Sequence, residues 1–147
     1  MGRPFDPAQG TTVVEPAGTG KGHWVGALGV LHDPVSGDLY MFYRSRRPIG
    51  EGRGWKCQVS RSRDGECFTE VWSATKEQLD AESIEGGALV RGPDGSFRLY
   101  VSYLDNIDRR WKISLLEANS PSGFDPARRR VVFSGEDADS EGVKDPH

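Results

Sequence analysis

Apolar and polar residues alternate along this chain in short runs, and nearly every run ends at Gly, Pro or Asp. Ala27 to Leu31 is an apolar run closed by Asp33-Pro34-Val35-Ser36-Gly37, and an aromatic-rich run, Leu39 to Tyr43, follows. A polar linker leads to Trp55–Ser60, and the turn Arg63-Asp64-Gly65-Glu66 separates that run from Phe68–Trp72. The same order returns downstream as Ala88–Val90, Gly92-Pro93-Asp94-Gly95, Phe97–Tyr103, Trp111–Leu116 and Arg130–Phe133. Aromatic and β-branched residues in short runs bounded by turn formers predict strands. Each half therefore predicts four antiparallel strands. Only Ser73 to Leu79 reads as helical, one or two turns with Ser73 as N-cap.

The halves repeat each other. Asp38-Leu39-Tyr40-Met41-Phe42-Tyr43 matches Arg98-Leu99-Tyr100-Val101-Ser102-Tyr103 at a shift of 60. Trp55-Lys56 matches Trp111-Lys112, and Phe68 matches Phe124, both at a shift of 56. Val25, Ile84 and Val143 follow one another at intervals of 59. Four antiparallel strands in a repeat of about this length is the pattern of a β-propeller blade, whereas a plain antiparallel sandwich would need these matches to arise by chance. The expected fold class is all-β: blade one over 22–81, blade two over 82–140 and the start of a third at 141–147, after an N-terminal extension, 1–21. A ring needs at least about four blades. The expectation is thus an incomplete propeller, either part of a longer protein or a chain that associates with copies of itself through uncovered blade faces. Trp55, Trp111 and the tyrosines recur with the blade and are expected in the core.

Composition narrows the function classes. The chain has 147 residues, a net charge of −3 and a pI near 5.6, which suits one domain and argues against a nucleic-acid binder or a ligand of acidic membranes. No run of 18 apolar residues is present, and Met1 to Asp6 lacks the apolar stretch of a secretory signal. Cys57 and Cys67 are too few for a disulfide framework; a hairpin folded at Asp64-Gly65 places Cys57 nearer to Trp72 than to Cys67. Free thiols and a cytoplasmic location are expected. His23, His32 and His147 are far apart in sequence, without zinc spacing. No cofactor and no catalytic metal is implied, although a funnel can house a structural cation.

Four stretches carry a resemblance: Gly22-His23-Trp24-Val25-Gly26-Ala27, Leu39 to Arg46, Ser83-Ile84-Glu85-Gly86-Gly87-Ala88-Leu89, and Glu141-Gly142-Val143-Lys144-Asp145-Pro146-His147. They resemble the inner strands of the five-bladed propeller glycoside hydrolases and their relatives, the superfamily of families 32, 43, 62, 68 and 130. The resemblance implies that the start of each innermost strand faces a central funnel, where acidic residues from different blades act on a glycosidic bond. Ser62-Arg63-Asp64-Gly65-Glu66-Cys67-Phe68 also resembles the hairpin between the outer strands of such blades, with Asp64 capping a turn and Phe68 packing between blades.

Hydrolysis of a glycosidic bond ordinarily uses two carboxyl groups, one an acid and the other a base or nucleophile. Glu85, in Ile84-Glu85-Gly86-Gly87, resembles the Glu-Gly motif of the family 43 general acid, and Asp145-Pro146 resembles the Asp-Pro motif of the same superfamily. Read without the resemblance, Glu85 is a solvated charge at a strand end and Asp145 a turn aspartate before proline. Aligning Val25-Gly26-Ala27 with Ile84-Glu85-Gly86 puts glycine where the first blade should supply a carboxylate, which favours a non-catalytic glycan- or protein-binding module, or an inactive fragment. His23 and Trp24 are candidate sugar contacts, Trp24 by stacking, with blade packing as its alternative. Arg44 and Arg46 belong to a basic block that reads as a solvated loop or as an anion subsite. In the second case they would take an acidic sugar, or the phosphate of a family 130-like phosphorylase. Lys144 and His147 flank Asp145-Pro146 and complete the candidate substrate contacts.

Overall fold

The structure is a computed structural model that describes residues 6–147; the first five residues of the expected N-terminal extension lie outside the described residues. Eight strands follow in order: β1 (Trp24–His32), β2 (Leu39–Arg46), β3 (Gly54–Ser62), β4 (Thr69–Thr75), β5 (Ala81–Arg91), β6 (Phe97–Asp105), β7 (Trp111–Ala118) and β8 (Arg130–Phe133). They form two four-stranded sheets, β1-β2-β3-β4 and β5-β6-β7-β8, with every neighbouring pair antiparallel. Each sheet is a blade-like meander, and the chain is all-β, a partial propeller.

The two sheets share one core. Phe42, Val59, Leu99, Val101 and Ile84 are fully buried in it, together with Tyr40, Trp72, Leu89 and Tyr103. Tyr40 meets Phe97 edge to face at 5.7 Å between ring centroids, a favoured aromatic geometry. β5 packs against β1, β2 and β3, so the inner strand of the second sheet is the hinge line of the assembly. Gly87 makes this possible: a Cβ there would lie 2.8 Å from the Phe42 ring and 2.5 Å from the Tyr100 carbonyl oxygen. Outside the core, Arg91 reaches back to the buried Asp33 at 2.8 Å, tying the end of β5 to the turn after β1.

Several expectations need correction. Ser73 to Leu79 is not helical: β4 runs through Thr75, because Trp72 and Ala74 alternate into the core and pair with β3. Only a single turn follows, closed by Leu79 N–H donating to the Thr75 carbonyl at 3.1 Å. Thr75, not Ser73, accepts the side-chain cap bond, from Gln78 N–H. Trp55 and Trp111 are half-buried rather than core; Arg47 stacks on Trp55 at 3.7 Å and Lys144 approaches Trp111 at 5.6 Å.

Nor are these two tryptophans equivalent. Tyr43 pairs with Gln58 and Tyr103 with Lys112, so β3 maps onto β7 at a shift of 54 and Trp111 matches Cys57. Phe124 rather than Phe68 makes the observed inter-sheet contact: it is buried against Trp72, whereas Phe68 is half-buried. Glu141 to His147, expected to begin an inner strand, forms none. It lies along the second sheet, with Val143 N–H donating to the Trp111 carbonyl at 3.0 Å.

Candidate functional site

β1 and β5 both bulge at their midpoints, and the bulges shape the site. On β1 the register with β2 shifts between Gly26 and Gly29; on β5 the register with β6 shifts between Ile84 and Gly87. A bulge leaves a residue unpaired and re-aims the side chains around it. Glu85 and Gly86 are the residues inside the β5 bulge, and Ala27 in the β1 bulge has a left-handed φ of 53°.

Between the bulges opens a cleft of about 500 Å3. Arg44, Glu85, Asp145 and His147 line it with Gly86, Gly87 and the apolar residues Val30 and Leu89. The two candidate carboxylates are therefore brought to one cleft. Asp145 is held by two bonds to the second sheet: its Oδ1 accepts from Gly86 N–H at 3.3 Å, and its own N–H donates to Ser102 Oγ at 2.6 Å. Its φ of 58° is left-handed, a conformation that Asp tolerates better than most residues.

Glu85 is held from the other sheet. Arg44 Nη2 contacts Glu85 Oε2 at 2.5 Å, and Arg46 Nη2 donates to Glu85 Oε1 at 3.0 Å. Arg44 Nη1 also donates to the carbonyl of Ile84, the residue before Glu85, at 3.2 Å. The Glu85 side chain is 16 % exposed and the Arg44 side chain 5 %. Burial pushes the Arg44 guanidinium below its usual value, the Glu85 carboxylate opposes that shift, and neighbouring Arg46 adds to it. Arginine stays protonated through such a change, so the contact is a buried ion pair.

The remaining candidates divide. Trp24 lies against the arginines, with its ring centroid 5.3 Å from the Arg44 guanidinium carbon and 5.2 Å from that of Arg46. Lys144 pairs with Asp145 at 3.4 Å on the outer side. His23, Trp24, Arg46 and Lys144 are not among the cleft-lining residues; the His23 ring packs on Gly18 and its Nδ1 has no partner. Both arginines direct a guanidinium nitrogen at Glu85, Arg44 through Nη2 and Arg46 through Nη2.

Ser102 escaped sequence reasoning. It is completely buried, and the available signal was a lone serine within the aromatic run Leu99 to Tyr103. The strand registers also correct the alignment of the first blade. His32 pairs with Leu39 as Leu89 pairs with Leu99, so β1 maps onto β5 at a shift of 57 and Leu28 occupies the position of Glu85. The first sheet still offers no carboxylate there, but the residue in its place is leucine, not Gly26. Among the described residues no group of three or more His, Cys, Asp and Glu is placed to hold a metal ion, and no helix is long and apolar enough to cross a membrane.

No protein-family model matches the chain and no curated protein matches it. Among solved structures, the chain is similar to the crystal structure of the GH43_1 enzyme from Xanthomonas citri complexed with xylotriose. The TM-score is 0.58 at 16 % identity, over 78 % of this chain and 34 % of that one. The similarity supports the partial propeller fold, and the match spans about a third of the neighbour's length.

Proposed function

We propose that the chain supplies two blades, over 22–81 and 82–140, and the entry to a third to a carbohydrate-active propeller domain. In this reading the cleft between β1 and β5 binds a glycan, and Glu85 and Asp145 are the paired carboxylates that act on a glycosidic bond. The observation that carries it is convergence: two acids 60 positions apart reach one cleft, each anchored by its own set of bonds. Gly86 keeps the space beside Asp145 clear, since a Cβ there would come within 2.9 Å of Asp145 Oδ1, and a glycine on a strand suits close approach of a ligand. The neighbour's bound xylotriose makes xylo-oligosaccharides the first ligands to try.

One observation favours a second reading, a non-catalytic glycan-binding module. Both Glu85 oxygens already accept from guanidinium groups, and the equivalent position of the first sheet holds Leu28. A family 130-like phosphorylase is less well supported, since Arg44 and Arg46 each already give a guanidinium nitrogen to Glu85. We propose that this chain bounds one side of a funnel and by itself binds sugar without turning it over.

Titration of the labelled chain with xylotriose and a panel of neutral and acidic oligosaccharides, followed by amide NMR, tests the binding. Shifts confined to Gly86, Gly87, Ala88 and the Asp145 region are expected. A panel that leaves all four regions unmoved overturns the glycan reading, and release of aryl alcohol from aryl glycosides separates catalyst from binder.

A further inference from the structure

Blade one contributes no carboxylate to the cleft, yet its two inner strands direct two arginines at the one carboxylate that β5 supplies and back them with a tryptophan. Trp24 leads β1, and Arg44 and Arg46 close β2, where Trp24 pairs with Arg46 and Gly26 with Arg44. The alternating positions put all three side chains on one face. There the indole lies within 5.3 Å of both guanidinium carbons, the range of a cation–π contact, and the guanidiniums in turn bind the two oxygens of Glu85.

Gly26 belongs to the same assembly. A Cβ at this position would come within 2.5 Å of Trp24 Cζ2 and 2.7 Å of Cη2, so the indole occupies the space a side chain would fill. The order of support is continuous: Gly26 admits Trp24, Trp24 covers the arginines, and the arginines fix Glu85. Arg44 Nε and Arg46 Nε are buried without a hydrogen-bond partner, which leaves contact with the indole as part of what offsets their burial. Trp24 itself remains 42 % exposed, an unusual state for a side chain with no further task.

We infer that Trp24 is a positioning residue: seated on Gly26, it holds Arg44 and Arg46 so that they set the orientation of Glu85 in the cleft. A site carboxylate works only when its neighbours lock its rotamer, and here the lock comes from the adjacent sheet. This assigns Trp24 a role other than sugar stacking and gives Gly26 a reason other than a lost carboxylate. The inference rests on Glu85 being the working carboxylate of the site, but its test does not require turnover.

The experiment uses the 13C,15N-labelled full chain, with the Glu85 carboxyl-carbon resonance identified by its loss in Glu85→Gln. In Trp24→Ala that resonance is expected to move and exchange of Arg44 Nε–H to speed up about tenfold, the scale of a lost cation–π contact. Trp24→Phe, which keeps an aromatic face, should fall between. Asp105, bound by Lys112 at 3.3 Å on β6, is the control and should not move. A Glu85 resonance that stays in place in Trp24→Ala, or moves no more than that of Asp105, overturns the inference. If Trp24→Ala does not fold, Trp24→Phe and Trp24→Leu carry the same comparison. Failure of the oligosaccharide titration alone would count against the glycan reading and leave the positioning role standing.

Discussion

Trp72 of β4 donates its indole N–H to the carbonyl oxygen of Phe124 at 2.8 Å, and the two rings meet edge to face with centroids 5.6 Å apart. The bond joins the outermost strand of the first sheet to the loop before the outermost strand of the second. Both side chains are buried. The outer margins of the sheets are therefore latched at one point, while β5 packs across β1, β2 and β3 along the inner side. The cleft lies at that inner side, so the latch holds the outer margins together on the side away from the site.

Removing the latch tests that role. Trp72→Ala deletes a buried aromatic and its hydrogen bond and should cost about 3–5 kcal/mol, the usual range for truncating a buried Trp or Phe. Trp72→Phe keeps much of the packing and should cost clearly less. Urea unfolding of both variants measures the difference; equal midpoints for Trp72→Ala and the wild type would show that the latch contributes nothing.

The cysteines give a simpler expectation. Cys57 is completely buried opposite Ala74, and burial pushes its thiol up to about 12, while Cys67 is exposed. Thiolate is the reactive form, so Cys57 is protected both by protonation and by access. In a native assay with a disulfide reagent at mildly alkaline pH, one thiol per chain should react promptly and the second only on denaturation. Prompt reaction of two thiols would contradict the placement of Cys57.

The eight strands were legible in the sequence because alternation and turn residues agree in each. The helix expected at Ser73 to Leu79 failed for a tertiary reason: local propensity could not register that Trp72 and Ala74 had a core to fill. The repeat was legible in outline but not in register. Trp55-Lys56 and Trp111-Lys112 are identical dipeptides at different heights on their strands, and only the hydrogen-bonded partners reveal the two-residue slip. At the site, Glu85 and Asp145 were legible as acids flanked by glycine and proline. The arginines were legible as charges but not as partners of Glu85, because that pairing crosses between sheets and depends on the bulges.

Asp64 links the outer hairpin to acid stability. Its carboxylate accepts from Cys67 N–H at 2.8 Å, Glu66 N–H at 2.9 Å and Ser62 Oγ at 2.9 Å. These bonds, the backbone ones foremost, lower its pKa from 3.8 to about 2. A pKa lowered by folding contributes stability that is present above the unfolded value and lost as pH falls through the folded one. Thermal melts of the wild type and Asp64→Ala should therefore differ most above about pH 4 and converge as pH approaches 2. A gap in Tm that does not change between those limits would mean that the ionised carboxylate is not what closes the hairpin.

Glu85 is expected to have both a structural and a chemical signature. Arg44 is almost fully buried, and the carboxylate of Glu85 is its direct counter-ion. Breaking a buried pair from one side leaves the other charge uncompensated, at a cost of about 3–5 kcal/mol. Glu85→Ala should fall in that range by urea unfolding. Glu85→Gln, which retains a carbonyl acceptor for a guanidinium, should cost less and keep oligosaccharide binding. On the proposed catalytic reading, in any longer chain that completes the proposed funnel the same Gln substitution should lower turnover of an aryl glycoside by about a hundredfold or more, the scale of a lost acid–base group. Asp145→Asn preserves an oxygen for Gly86 N–H and should likewise bind sugar while losing rate. If Glu85→Gln leaves turnover within a factor of about two, the catalytic reading of Glu85 fails and its ion pair with Arg44 is purely architectural.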